Sequence, residues 1–253
     1  MSRREMNGRG VAANNAPSVR ERLVAAGERL FAERSWEAVS VRAIVAAANV
    51  NLAALNYHFG SKEKLLREIF ATRAKPIVQE RMRRLEEIRK CGGTPRLEEI
   101  LEAFLRPALG IDAHHGGATF VKLRARLGAA PDAVSRKILT DTFGKSSRAF
   151  LDEIKRALPD ISPADVNWGF HFLLGAMVYT MANVGRIESL TNGDCDTSDV
   201  KAALQHLIPF AAAGFRSAPS ESCGHISRRG FKRRQTEQLE TASSGSPSRA
   251  TAE

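Results

Sequence analysis

Aromatic residues make up only 6% of this 253-residue chain, with two tryptophans and two tyrosines. Cysteine is scarcer still. Cys91, Cys195 and Cys223 lie far apart, form no CxxC pair and are odd in number, which excludes a disulfide framework and points to reduced thiols. Long apolar runs are missing as well. The richest stretch, Trp168 to Val184, is interrupted by His171 and Asn183 and falls short of the 18 or so clean apolar residues of a membrane span, so a buried helix is expected there. The N-terminus carries arginines without an apolar signal core, an arrangement that fits a cytoplasmic protein. Period-2 alternation is absent, which argues against sheets. So are the nucleophile elbow, the Walker loop and HExxH, which leaves no catalytic signature. His114 and His115 are adjacent with no third ligand near, and Asp194-Cys195-Asp196 has loose metal potential at most, so neither metal nor cofactor is expected.

What is present is an ordinary globular composition, 43% hydrophobic and 26% charged. The net charge of +10 is unevenly spread. Residues 1–92 hold 18 Lys/Arg against 10 Asp/Glu, a net +8; residues 93–215 hold 13 against 14; residues 216–253 hold 7 against 4. A basic N-terminal third beside a neutral remainder fits one module that meets a polyanion and another with a different task. Residues 1–17 and 216–253 read as disordered arms, the second carrying a basic cluster of Arg228, Arg229, Lys232, Arg233 and Arg234. Between them about nine helices are expected, at 18–34, 41–48, 52–58, 62–90, 96–110, 117–127, 131–157, 163–186 and 197–215. Pro76 should kink the fourth, Ser162-Pro163 should open the eighth, and Cys91-Gly92-Gly93-Thr94-Pro95 is the clearest linker.

Residues 18–66 carry the most information. The first helix puts Leu23, Ala26, Gly27, Leu30 and Phe31 on one side and Arg20, Arg22, Glu28 and Arg29 on the other. Ser40 can cap a second helix that buries Val41, Ile44, Val45 and Ala48. Asn49 suits a left-handed turn, and Asn51 can cap a short third helix that ends at Gly60. Ser61 can cap a long fourth helix. Two short helices across a tight turn, packed on a longer one, make a helix-turn-helix, whose second helix enters the major groove. Ala53 and Ala54 allow its backbone close to the bases, Asn56 can pair with adenine, and Tyr57, His58 and Lys62 suit phosphate oxygens.

The stretch Ser40-Val41-Arg42-Ala43-Ile44, Ala48-Asn49-Val50-Asn51 and Leu55-Asn56-Tyr57-His58-Phe59-Gly60-Ser61-Lys62-Glu63-Lys64-Leu65 resembles the DNA-binding module of the TetR/AcrR family of bacterial transcriptional regulators. Family members usually have Gly where Asn49 stands and Ser or Thr where Asn51 stands. The resemblance implies an all-α homodimer: a three-helix DNA-binding head at 18–66, and a larger helical body for ligand binding and dimerisation at 67–215. It implies phosphate contacts at Ser40, Tyr57, His58 and Lys62, a base or phosphate contact at Arg42, and base-facing positions at Leu52, Ala53, Ala54 and Asn56, next to the cap Asn51. The partners expected are a palindromic double-stranded operator and a small apolar or amphipathic effector.

In the body, Trp168 to Met177 and Leu207 to Phe215 are similar to the PsrA-like subgroup, which answers to fatty acids; the effector implied is a fatty acid or acyl-CoA. Helices 163–186 and 197–215 are apolar most of the way round, with Gly175, Ala176, Ala182, Ala211 and Gly214 allowing close approach, so they are expected to build the dimer interface as a four-helix bundle. Candidate pocket residues are Phe104, Phe120, Leu123, Phe143, Phe150, Trp168, Phe172 and Met177, with Arg124 and Arg148 as carboxylate partners. The function expected is a ligand-released repressor and not an enzyme. An activator or ligand-independent regulator of the same fold, or a helical adaptor that binds protein, is the alternative.

Overall fold

The computed structural model describes residues 17–110, 117–182 and 185–217, and every regular element among them is helical. They are α1 (Val19–Glu33), α2 (Val41–Ala47), α3 (Leu52–Phe59), α4 (Lys62–Lys90), α5 (Leu97–Leu109), α6 (Gly117–Ala129), α7 (Ala133–Ala157), α8 (Pro163–Ala182), α9 (Arg186–Leu190) and α10 (Val200–Arg216). The expected boundaries hold to within a few residues, except that the eighth is divided: α8 is described as far as Ala182, and a short α9 follows Gly185, whose φ of 68° is left-handed. The arms at 1–16 and 218–253, with Cys223 and the basic cluster, and the pair His114-His115 lie outside the described residues.

Helix starts follow from local chemistry. Ser18 and Glu21 close a capping box on α1: the Glu21 amide donates to Ser18 Oγ at 3.2 Å and the Ser18 amide donates to Glu21 Oε2 at 2.7 Å. Ser40, Asn51, Ser61 and Asp132 each accept one amide at the N-terminus of α2, α3, α4 and α7. Pro163 is the first residue of α8, and Ser162 Oγ accepts the Asp165 amide at 3.1 Å. Pro76 sits within an α4 that continues unbroken from Lys62 to Lys90, and Gly92 and Gly93 turn the chain from α4 into α5 at φ of 72° and 71°.

Helix α4 belongs to both halves of the molecule. Its first turns pack on α1 and α3, and its remainder packs on α5 and α7. Leu65, Leu66, Ile69, Phe70, Ala74, Ile77, Arg81 and Leu85 form its buried face, and each fully buried leucine or isoleucine contributes about 1.5–3 kcal/mol. Two buried acids fasten it. Glu28, which the helical pattern places on the solvent side, is 4% exposed on α1 and accepts a fork from Arg73 on α4, with Nη2 at 2.7 Å from Oε2. It lies beside Gly27, which the side chains of Leu65 and Ile69 approach so closely that α1 and α4 are drawn together there. Glu153 on α7 is 2% exposed and pairs with Arg89 of α4 and with Arg156. At the far end, α8 and α10 meet at Gly169, where an added Cβ would stand 2.5 Å from the Phe215 ring. Gly175 and Gly214 have nothing within 4 Å, so within the subunit the close approach expected of them falls to Gly169 instead.

Breaking a buried pair from one side leaves an uncompensated charge. Arg73→Ala is therefore expected to cost about 3 kcal/mol, read as a lower midpoint in chemical denaturation. Arg83→Ala, whose partners Glu80 and Glu87 share an exposed stretch of α4, should leave the midpoint unmoved.

Candidate nucleic-acid interface and effector cavity

The turn between α2 and α3 is built as the residues suggest. Asn49 adopts φ 52°, the Val50 amide donates to Val45 O at 3.0 Å, and the Asn51 carboxamide oxygen accepts from Ala54 N at 2.9 Å. Arg22 of α1 donates from Nη1 to Asn49 O at 3.2 Å, so it braces the turn instead of facing solvent. Leu55 and Phe59 anchor α3 inward. The opposite side of α3 is uncovered: Leu52, Ala53, Asn56 and Tyr57 are exposed, Tyr57 to 86%, while Ala54 and His58 are half-buried. Tyr57 and His58 meet edge to face at 5.1 Å. Arg42 is exposed on α2, with no hydrogen bond or ion pair among the described residues, and is free to reach outward. Ser40 and Asn51 commit their side-chain oxygens to helix caps.

Lys62, expected at a phosphate, is also engaged within the protein. Its ammonium donates to Trp36 O and Val39 O, both at 2.8 Å, and sits 4.0 Å from the centre of the Trp36 ring. Partial burial lowers its pKa. Two of its three N–H donors thus hold the α1–α2 loop to the start of α4, and one remains for any outside acceptor.

The body contains a cavity of about 670 Å3 between α4, α6, α7 and α8, a volume in the range of small-molecule sites. Of the sequence candidates, Arg124, Phe143 and Met177 line it. Phe104 and Phe120 do not: Phe104 packs on Phe150 and Phe170, and Phe120 on Phe70, all as core. Leu123 is buried and borders a second crevice of about 650 Å3 between α1 and α6. Trp168 and Phe172, also expected at the pocket, do not border this cavity. They are 61% and 65% exposed and stack on each other on the outer side of α8, because residues four apart share a helix face and no element among the described residues covers this one. Arg148 is exposed on α7 and does not border the cavity.

Sequence reasoning missed Arg81, which is 1% exposed and lines the cavity beside Arg124. It stands in the run Arg81-Met82-Arg83-Arg84, which looks like a solvated basic face. Its spacing from Ala74, Ile77 and Leu85 was the available signal, since these positions share one side of α4. Among the described residues no three His, Cys, Asp or Glu side chains cluster as metal ligands, and no helix is long and apolar enough to cross a membrane.

The hydrogen bonds of Lys62 carry a testable consequence. Lys62→Met should lower the stability of the free protein by about 2 kcal/mol in denaturant unfolding, because two carbonyls lose a charged donor. A residue serving phosphate alone would leave that stability unchanged.

Comparison with known proteins agrees with this architecture. Residues 23–69 match the family model described as bacterial regulatory proteins, tetR family, and residues 102–214 match the model described as tetracyclin repressor-like, C-terminal domain. No curated protein matches the chain significantly. Among solved structures, the TetR family transcriptional regulator PfmR of Thermus thermophilus is 18% identical, with a TM-score of 0.51 over 81% of this chain and 100% of that one. The fatty acid degradation regulator FadR of Bacillus halodurans is 15% identical, with a TM-score of 0.53 over 76% of this chain and 95% of that one. At such identities the likeness speaks for the fold. The two family models, one on the head and one on the body, together span more than half of the residues, and the chain belongs to the TetR family of DNA-binding transcriptional regulators.

Proposed function

We propose that the protein is a repressor that binds a palindromic operator as a homodimer in the cytoplasm and leaves it when an amphipathic effector, a fatty acid or acyl-CoA, enters the body. The observation that carries the DNA-contact reading is the uncovered outer face of α3, with Asn56 and Tyr57 exposed there and Arg42 exposed on α2. Small Ala53 and Ala54 let that face approach base edges, Asn56 reads adenine, and Arg42, Tyr57, His58 and the remaining donor of Lys62 meet phosphates.

The dimer reading is supported by a second uncovered surface. Trp168, Phe172 and Tyr179 lie exposed along α8, and Phe210 is 72% exposed on the adjoining α10. Large apolar side chains grouped on two packed helices mark an interaction site, and a second pair of the same helices would cover them as a four-helix bundle. The fatty-acid reading draws support from the largely apolar lining of the 670 Å3 cavity and from the likeness to FadR of Bacillus halodurans, itself a regulator of fatty acid degradation.

A route from cavity to head exists in α6. Arg124, Ala125, Gly128 and Ala129 face the cavity, while Arg126 of the same helix donates from Nε to Ala32 O of α1 at 3.1 Å. A ligand that favours another position of α6 would shift the population of head spacings away from the one that fits successive major grooves. Ligand and operator would then oppose each other with a coupling of about 1–3 kcal/mol.

Selection of bound duplexes from a random pool tests this reading; enrichment of a palindrome is the expected result, and no enrichment by folded dimer would overturn it. On the selected operator, Asn56→Ala is expected to lose about 1–3 kcal/mol of preference over random DNA. Arg42→Ala should weaken binding to all sequences and lower the salt dependence by about one counterion. Trp168→Ser with Phe172→Ser should yield monomer by sedimentation while the helical signal persists.

A further inference from the structure

Two arginines at the centre of the body are buried without an acid. Arg81 on α4 and Arg124 on α6 are 1% and 4% exposed. Arg81 donates from Nε to Phe104 O at 2.8 Å, and its guanidinium carbon lies 3.7 Å from the centre of the Phe104 ring. Arg124 sits 4.6 Å from the centre of the Phe143 ring, and its Nη1 has no hydrogen-bond partner. The Nη2 atoms of both converge on one thioether sulfur, Met177 Sδ, at 3.5 and 3.7 Å. Sulfur is a weak acceptor and carries no compensating charge.

The contrast with the other buried charges is plain. Glu28 has Arg73, and Glu153 has Arg89 and Arg156. Among the described residues no carboxylate pairs with Arg81 or Arg124. Burial pushes the Arg124 guanidinium down to about 10, and burial together with the neighbouring Arg124 charge pushes Arg81 well below its usual value. An unpaired buried cation is costly, and two beside each other are costlier. Both side chains face the 670 Å3 cavity, whose other walls include Leu139, Leu174 and Val178. The cavity thus has a cationic wall and a largely apolar remainder, with Thr140, Ser147, His171 and Tyr179 as its other polar lining residues.

We propose that Arg81 and Arg124 form a buried clamp for a single carboxylate, and that the ligand is a free acid with an apolar tail, not its alcohol or its thioester. This rests on reading the cavity as the effector site. A carboxylate supplies the missing charge and accepts from the free Nη1 and from both Nη2 groups, in the forked geometry that guanidinium favours. A thioester presents a neutral carbonyl and leaves both cations uncompensated. An alcohol offers one neutral oxygen. The apolar tail then lies along Leu139, Leu174 and Val178.

Calorimetric titration of the full chain with dodecanoate, dodecanol and dodecanoyl-CoA tests the clamp. The acid should bind at least about tenfold more tightly than either of the others, as expected for a charge-assisted bidentate contact. Arg124→Met and Arg81→Met, which keep volume and remove charge, should each erase that preference while dodecanol affinity stays level. Ligand-free Arg124→Met should melt no lower than the wild type, because an apolar side chain replaces an unpaired ion that bonds no oxygen. Equal affinity for acid and alcohol in the wild type, tighter binding of the thioester, or an acid preference that survives both substitutions would overturn the clamp. The wild-type comparison needs no variant, so a misfolded mutant does not decide the matter. Operator selection by the wild type is followed separately: acid selectivity without operator binding keeps the clamp and removes the repressor reading, and operator binding without acid selectivity does the reverse.

Discussion

The fold depends on one helix being shared. Helix α4 begins in the head under the cap of Ser61 and ends in the body at Lys90, so no flexible joint separates the two along this path. Its position is fixed by acids that are out of water: Glu28 holds Arg73, three turns in, toward α1, and Glu153 holds Arg89, at the C-terminal end, toward α7. Lys62 adds a third fastening by tying the α1–α2 loop to the first turn of α4. With α4 rigid, the main other contact between head and body among the described residues is α6 against α1, through Arg126 and Ala32 and the crevice around Trp36. A shift of α6 therefore has few directions in which to be absorbed.

Much of this architecture is legible in the residues alone. Helix periodicity and the Ser, Asn and Pro signals mark nearly every element, because caps and apolar stripes are local and each is set by a handful of neighbouring residues. The turn of the DNA-binding unit is readable for the same reason: Asn49 and Asn51 do in the structure what their side chains allow in isolation. Family membership then follows from a motif confined to a short stretch of chain.

The remainder requires three dimensions. Glu28 and Arg22 sit on what looks like the wet side of α1, yet α4 and the turn cover that side. Lys62 looks like a phosphate ligand in a one-dimensional motif, and its first duty proves to be to carbonyls more than twenty residues upstream. Trp168 and Phe172 resemble pocket residues because aromatic side chains in an apolar helix suggest an interior; α8, apolar on several faces, has more such faces than its neighbours among the described residues cover. Arg81 is hidden by neighbouring arginines that do face solvent.

The glycines of α8 and α7 differ in what surrounds them, and this bears on how such a protein diversifies. Gly169 is locked against Phe215, so any side chain there must displace an aromatic ring and the packing of α10. Gly175 has open space above it, and Gly144 has only ordinary contacts; both border the cavity. A lineage can thus reshape the chamber by single substitutions at 144 or 175 without disturbing the α8–α10 seam. Recognition of small molecules is free to drift, while the seam beneath the exposed aromatic stripe stays under tight steric constraint.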